Sequence, residues 1–132
     1  MDVILDTSVA IAVVLNEPRK QALIKRTDEA ELLAPMSLPI EIGNAFSAMF
    51  KRGRISLDQA NQAFAAFRRI PVRLADIDMK ASLDLSHSLG IYAYDAYMLE
   101  CAQRHRAAIL TLDPGLKAAA ERVEVRVLEV KG

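Results

Sequence analysis

Short apolar runs alternate with longer stretches of helical periodicity along the chain. "VIL" at 3–5 is apolar and largely β-branched and reads as a buried strand ending at Asp6. Helix signals follow in "SVAIAVVLN" and then in "PRKQALIKRTDE", where Pro18 suits a first helical turn. "ELLAPM" at 31–36 reads as a second strand. Pro39 opens "IEIGNAFSAMFKRG", apolar at Ile42, Phe46, Met49 and Phe50, with Gly53 as its stop. Ser56 and Gln59 make a capping-box pair ahead of "ANQAFAAFRRI", which Pro71 ends before a third strand, "VRLA". "DMKASLDLSHSLG" is a helix closed by Gly90, and "YDAYMLECAQRHR" is the next. "AAILTL" at 107–112 is a strand ending at Asp113, Pro114 starts "GLKAAAERV", and "VRVLEV" at 125–130 is the last strand. This alternation predicts an α/β fold with a mainly parallel sheet covered on both faces.

Composition agrees with one solid core. The 132 residues suit a single domain over 1–132, and 52% hydrophobic against 26% charged residues argues against disorder. Lys plus Arg equals Asp plus Glu at 17 each, so the chain is no generic polycation that coats nucleic acid, although the two signs can still segregate in space. Cys101 is the only cysteine, so no intrachain disulfide forms, and in "YMLECAQRH" it reads as a small core residue. Neither a signal peptide nor a bilayer-length apolar span is visible, so a cytoplasmic protein without a membrane partner is expected.

The candidate chemistry lies at the joins between elements. In open parallel sheets, ligands sit beyond the carboxyl ends of the strands. Asp6 and Asp113 lie at such ends, Asp95 opens a helix, and Glu41 lies in the first turn of another. Taken singly, each aspartate is explained at least as well by helix capping, which Asp favours. Glu41 fits capping less well, and Asn44 stands one turn further along its helix. Four carboxylates brought together would repel strongly and need protons or a cation to neutralise them. Hard divalent ions such as Mg²⁺ take carboxylate oxygens and retain waters.

"VILDTSV" at 3–9, "PIEIGNAF" at 39–46, "YDAYMLECA" at 94–102 and "LTLDPGL" at 110–116 resemble the four acidic motifs of the PIN-domain family, and their order and spacing resemble its small VapC-type toxins. The resemblance implies a three-layer α/β/α sandwich around a parallel sheet of about five strands. It implies a metal-dependent ribonuclease, the toxin of a toxin–antitoxin pair. Carried over by position, Asp6, Glu41, Asp95 and Asp113 are the acidic quartet, with Asp6 and Asp95 the most direct ligands of Mg²⁺ or Mn²⁺ and Glu41 and Asp113 serving a second ion or orienting waters. Thr7, Asn44 and Thr111 match supporting polar positions. Pro114 after the fourth acid departs from the usual motif. The resemblance also implies a homodimer and an antitoxin protein in a groove, which would use the unusually apolar "SVAIAVVLN" and "AFSAMF".

The implied hydrolysis uses water and needs no nucleophile from the protein and no histidine. His87 and His105 then read as surface or packing residues. An acidic pocket repels phosphates, so basic help is expected nearby: Lys51, Arg52 and Arg54 at one helix end, Arg68, Arg69 and Arg73 around Pro71, and further Arg104 and Arg106. Each is also explained as solvated surface charge. Tyr92, Tyr94 and Tyr97 flank Asp95 and could stack on a base. Rival α/β readings fit poorly. A dehalogenase-like phosphatase wants Asp where Ser8 stands, and a receiver domain wants a Lys beyond the last strand, for which Lys131 is the sole candidate. A non-catalytic PIN-like binding module has no need of the complete quartet.

Overall fold

A computed structural model describes residues 1–130 of the chain. Its elements run β1 (Asp2–Leu5), α1 (Thr7–Val14), α2 (Lys20–Thr27), β2 (Glu31–Pro35), α3 (Leu38–Lys51), α4 (Leu57–Phe67), β3 (Val72–Ala75), α5 (Met79–Leu89), α6 (Ala93–His105), β4 (Ala108–Leu110) and α7 (Pro114–Arg122). The strands form a parallel sheet in the order β3-β2-β1-β4, with Ile4 opposite Leu33 on one side and Ile109 on the other.

That order decides where helices lie. The connections from β1 to β2 and from β2 to β3 step one way across the sheet; the return from β3 to β4 steps the other. Right-handed crossovers therefore put α1–α4 on one face and α5–α7 on the other. The packing agrees: α1 lies against α2, α3 and α4, whereas α6 packs on α5 and on β1, β2 and β4. Two covered faces explain why Val3, Ile4, Leu33, Ile109 and Leu110 are all fully buried along continuous apolar strands.

Local chemistry starts and stops the helices. Ser56 and Gln59 form the complete capping box of α4. Asp78 caps α5, and Gly90 ends it at φ 66°, a left-handed conformation that costs glycine no Cβ clash. Helix α2 begins at Lys20, two residues beyond Pro18, which thus precedes the helix instead of opening it.

Two expectations change. The segment 125–130 is not a full strand: it joins the sheet through one parallel bridge, Val127 to Ile109, framed by Ile109 N–H to the Arg126 carbonyl (2.8 Å) and Leu128 N–H to the Ile109 carbonyl (2.9 Å). The sheet therefore has four strands and not about five, because the three-residue β4 offers little backbone to pair with. Helix α1 is buried at Val9, Ala10, Ile11, Ala12 and Val14 and packs against α2, α3 and α4, so most of its apolar excess is consumed internally. In "AFSAMF", Phe46 is buried and Phe50 stays exposed. Among the described residues, no helix is long and apolar enough to cross a membrane. Lys131 lies outside them.

Ile4→Ala, at the centre of the sheet, should lower the unfolding free energy by about 2–5 kcal/mol, the range for truncating a fully buried Ile. Urea denaturation at equilibrium reads this as a fall in midpoint at unchanged slope.

Candidate active site: an acidic crevice at the carboxyl edge of the sheet

The chain leaves β1 towards β2 but later places β4 on the other side of β1. The carboxyl ends of these two neighbours flank the switch point of the sheet, where connecting loops diverge and leave a crevice. Asp6 follows β1 directly, and Thr111 and Asp113 follow β4. The strand ends at Leu110, earlier than 112, so Thr111 lies in the turn and its hydroxyl donates to Asp6 Oδ2 at 2.7 Å.

Asp6 is 5% exposed. Ser8 Oγ also donates to its Oδ2 (2.7 Å), and the Ser8 amide approaches the same oxygen at 3.4 Å as the α1 cap. The hydroxyls serve a second purpose. Ser8 Oγ accepts the Leu112 amide at 3.0 Å and Thr111 Oγ1 accepts the Asp113 amide at 3.0 Å, so the turn after β4 is tied to the start of α1. All recorded bonds to the Asp6 carboxylate fall on Oδ2; Oδ1 has no hydrogen-bond partner among the described residues.

Glu41 enters from α3 and is likewise buried. Thr7 Oγ1 donates to Oε1 (3.0 Å) and Ser37 Oγ donates to Oε2 (2.7 Å). Ser37 stands at the N-cap position of α3, yet its hydroxyl serves Glu41 and not the helix amides. Burial pushes Glu41 up to about 7 against the two hydroxyl bonds, and the charges of Asp6 and Asp95 push the same way. Asp95 lies inside the first turn of α6, behind Tyr92 at the N-cap, so it is not a capping residue. Burial raises it to about 6, helped by Asp113 and then Asp6. Asp113 does cap its helix: Oδ1 accepts the Gly115 and Leu116 amides at 2.8 and 3.4 Å.

Four carboxylates from four separate segments thus share one field. Asp6 acts on Glu41 and Asp95, Asp95 acts on Glu41, and Asp113 acts on Asp95. The donor set is all oxygen, as hard divalent ions require, and nearby hydroxyls fix two of the carboxylates, so the residues present fit Mg²⁺ or Mn²⁺. Among the described residues, no group of three or more His, Cys, Asp or Glu side chains stands close enough together to hold a metal ion as placed.

The other candidates divide. Thr7 and Thr111 join the network, whereas Asn44 is exposed and makes no recorded bond to Glu41. Lys51, Arg52 and Arg54 lie at the far end of α3, about 15 Å along its axis from Glu41. Arg69 lines a crevice with Thr27, Asp28 and Glu29, before β2 and so at the edge opposite the acids, and Arg106 caps the far end of α6. Arg68 borders a groove with Pro39 and Phe67. Arg104 is held by Glu100 Oε1 (2.7 Å) and by the Asp76 carbonyl, which removes it from the free cations. Arg73 is exposed on the edge strand β3. His87 is exposed, and His105 Nε2 is buried with no hydrogen-bond partner among the described residues. Burial pushes the Cys101 thiol up to about 11, so it is no nucleophile.

Three participants had escaped notice in the sequence. Ser8 stood beside Thr7 in the same motif but drew attention only as a missing aspartate. Ser37, at the N-cap position of α3, carries no sequence signal of its bond to Glu41. Buried Glu100, which also accepts the Asp78 amide at 3.2 Å, gave no signal within a helical run.

The fold and its crevice define a doubly wound α/β domain with an acidic centre at its switch point. The PIN domain family model matches residues 3–122, and the chain belongs to that family. Three solved structures share the fold. PAE2754 of Pyrobaculum aerophilum has a TM-score of 0.70 at 19% identity, over 90% of this chain and 79% of the other. VapBC2 of Rickettsia felis, bound to a DNA fragment from its promoter, has 0.69 at 15% over 98% of both. VapC20 of Mycobacterium tuberculosis, a toxin that cleaves the sarcin-ricin loop, has 0.65 at 16% over 98% and 99%. No curated protein matches the chain in sequence.

The raised carboxylates make stability depend on pH. The folded state holds protons on Glu41 and Asp95 that the unfolded chain releases nearer 4.5 and 3.8. The stability these two groups contribute is therefore fully present below those values and is lost as pH rises through about 6 and 7. Thermal denaturation in a chelating buffer should show the midpoint falling across this window, and Asp95→Asn should flatten its lower part.

Proposed function

We propose that this protein is a metal-dependent endoribonuclease, the toxin of a cytoplasmic toxin–antitoxin pair. One observation carries the reading: at the edge of the sheet where this fold class binds ligands, Glu41 and Asp95 are raised by burial and then by the charges of neighbouring carboxylates, Asp6 and Asp95 acting on Glu41, Asp113 and Asp6 on Asp95. Membership of the PIN family and the fold shared with the sarcin-ricin-cleaving toxin VapC20 support the choice of RNA.

Asp6 and Asp95 would hold the ion, and Glu41 and the outer oxygen of Asp113 would bind a second ion or orient water. A bound Mg²⁺ or Mn²⁺ lowers the pKa of water and offsets charge on a phosphodiester during in-line displacement. The chain's own contribution is positional. Ser8 and Thr111 fix one oxygen of Asp6, and Thr7 and Ser37 grip both oxygens of Glu41, so neither carboxylate swings away when a polyanion arrives. Glu41, titrating near neutrality, can accept a proton from a water molecule in the crevice. The partners of this reading are RNA, a cognate antitoxin protein and a second copy in a homodimer. The similarity to the VapBC2 complex favours the antitoxin.

Purified protein given total RNA and Mn²⁺ or Mg²⁺ should cut it internally, and excess chelator should stop the reaction. Asp6→Asn and Asp95→Asn should each lower the rate by more than about a hundredfold, and Thr111→Val by roughly ten- to a hundredfold, the usual range for a partner that orients a ligand. RNA left intact by the wild type with either ion would exclude the assignment. Independently of activity, either ion should raise the thermal midpoint above pH 7, an increase absent from Asp6→Asn.

A further inference from the structure

The chain has three tyrosines and no tryptophan, and all three tyrosines fall within residues 92–97 around Asp95. Tyr92 is 88% exposed and Tyr94 is 39% exposed. Tyr92 occupies the N-cap of α6, where no side chain caps the helix, although a short polar residue is strongly favoured there. A capping bond is thus given up at a position that holds a large ring out in water. Tyr94, beside Asp95, meets Tyr97 edge-on with centroids 5.9 Å apart at 73°, and the Tyr97 hydroxyl donates to Met79 Sδ at 3.7 Å. Tyr94 is therefore braced from below and loses little side-chain freedom on binding.

We propose that Tyr92 and Tyr94 form a stacking platform for an unpaired RNA base beside the acidic crevice and so are positioning residues for the substrate. The inference rests on the nuclease reading above. An acidic crevice repels phosphates, and Lys51, Arg52 and Arg54 stand far down α3, so the cations of that helix end add no affinity next to the acids and leave Arg68, in the groove beside Pro39, as the nearer basic candidate. Stacking on exposed aromatic rings supplies affinity there, and only a base freed from its duplex presents a face to stack. The rival occupant is a second copy of the chain, since Met79 and Leu83 prolong the apolar surface along α5. The position of both exposed rings on the turn that carries Asp95 favours RNA.

The absence of tryptophan makes the test direct, because two of the three tyrosines that supply the intrinsic emission form the platform and the third, Tyr97, lies against Tyr94. In an Asp95→Asn background with Mg²⁺, a single-stranded oligoribonucleotide should quench that emission, whereas a strand of abasic sugars should not and a duplex should fail to compete. Tyr92→Ala and Tyr94→Ala should each weaken binding roughly five- to a hundredfold. In the otherwise intact enzyme they should raise KM with kcat nearly unchanged, and Tyr92→Phe and Tyr94→Phe should retain wild-type values. Equal binding of the abasic strand overturns the platform. So does an unchanged KM in alanine variants that still cut RNA, or loss of a dimer, read by light scattering, at unaltered RNA affinity. Wild-type protein that shows base-dependent quenching but never cuts RNA keeps the platform and removes the nuclease reading instead.

Discussion

Everything at the working edge of this protein follows from like charges held together by a scaffold too stiff to let them part. A carboxylate at the end of a flexible loop would swing into water to escape its neighbours. Here Asp6 leaves the central strand β1, whose residues Val3 and Ile4 are wholly buried, and Glu41 and Asp95 sit in the first turns of packed helices. The sheet and helices fix where the acids start, and the hydrophobic core supplies the free energy that holds them there. Burial first, and the neighbouring charges after it, raise the proton affinity of Glu41 and Asp95.

The scaffold moderates that strain with hydroxyls and not with cations. Thr7, Ser8, Ser37 and Thr111 each donate to a buried carboxylate oxygen, and none brings a charge of its own. A lysine or arginine in the same place would neutralise the crevice and displace any divalent ion by electrostatics alone. Hydroxyl donors satisfy the buried oxygens while leaving the net negative charge intact. The one buried carboxylate given a cation is Glu100, which pairs with Arg104 and anchors the start of α5 through the Asp78 amide. Glu100 is thus neutralised by a cation, whereas Asp6 and Glu41 are met by hydroxyls alone.

Capping and chemistry are not exclusive roles. Asp6 accepts the Ser8 amide at the start of α1, and Asp113 accepts two amides at the start of α7, yet both belong to the shared field. Both use one oxygen for the helix. Helix amino ends favour negative charge, which offsets part of the cost of gathering carboxylates at one edge. Asp95 and Glu41 do no such service and bear the raised pKa values instead.

The sequence by itself determined the alternation of strand and helix, the places of most boundaries, and the positions of all four acids, because apolar periodicity, prolines, glycines and caps are local signals. It also carried the family resemblance through motifs of a few residues each. What it did not contain was the company each residue keeps. That Ser8 serves Asp6, that Ser37 turns from its helix to Glu41, that Arg104 is spent on Glu100, and that Lys51 lies some three turns from the acids are facts of relative position. The last strand shrank to one bridge because its partner was too short, and most of the apolar excess of α1 vanished into the core because three helices close over it. Both outcomes depend on which elements become neighbours, and the strand order β3-β2-β1-β4 settles that only when the whole chain has packed.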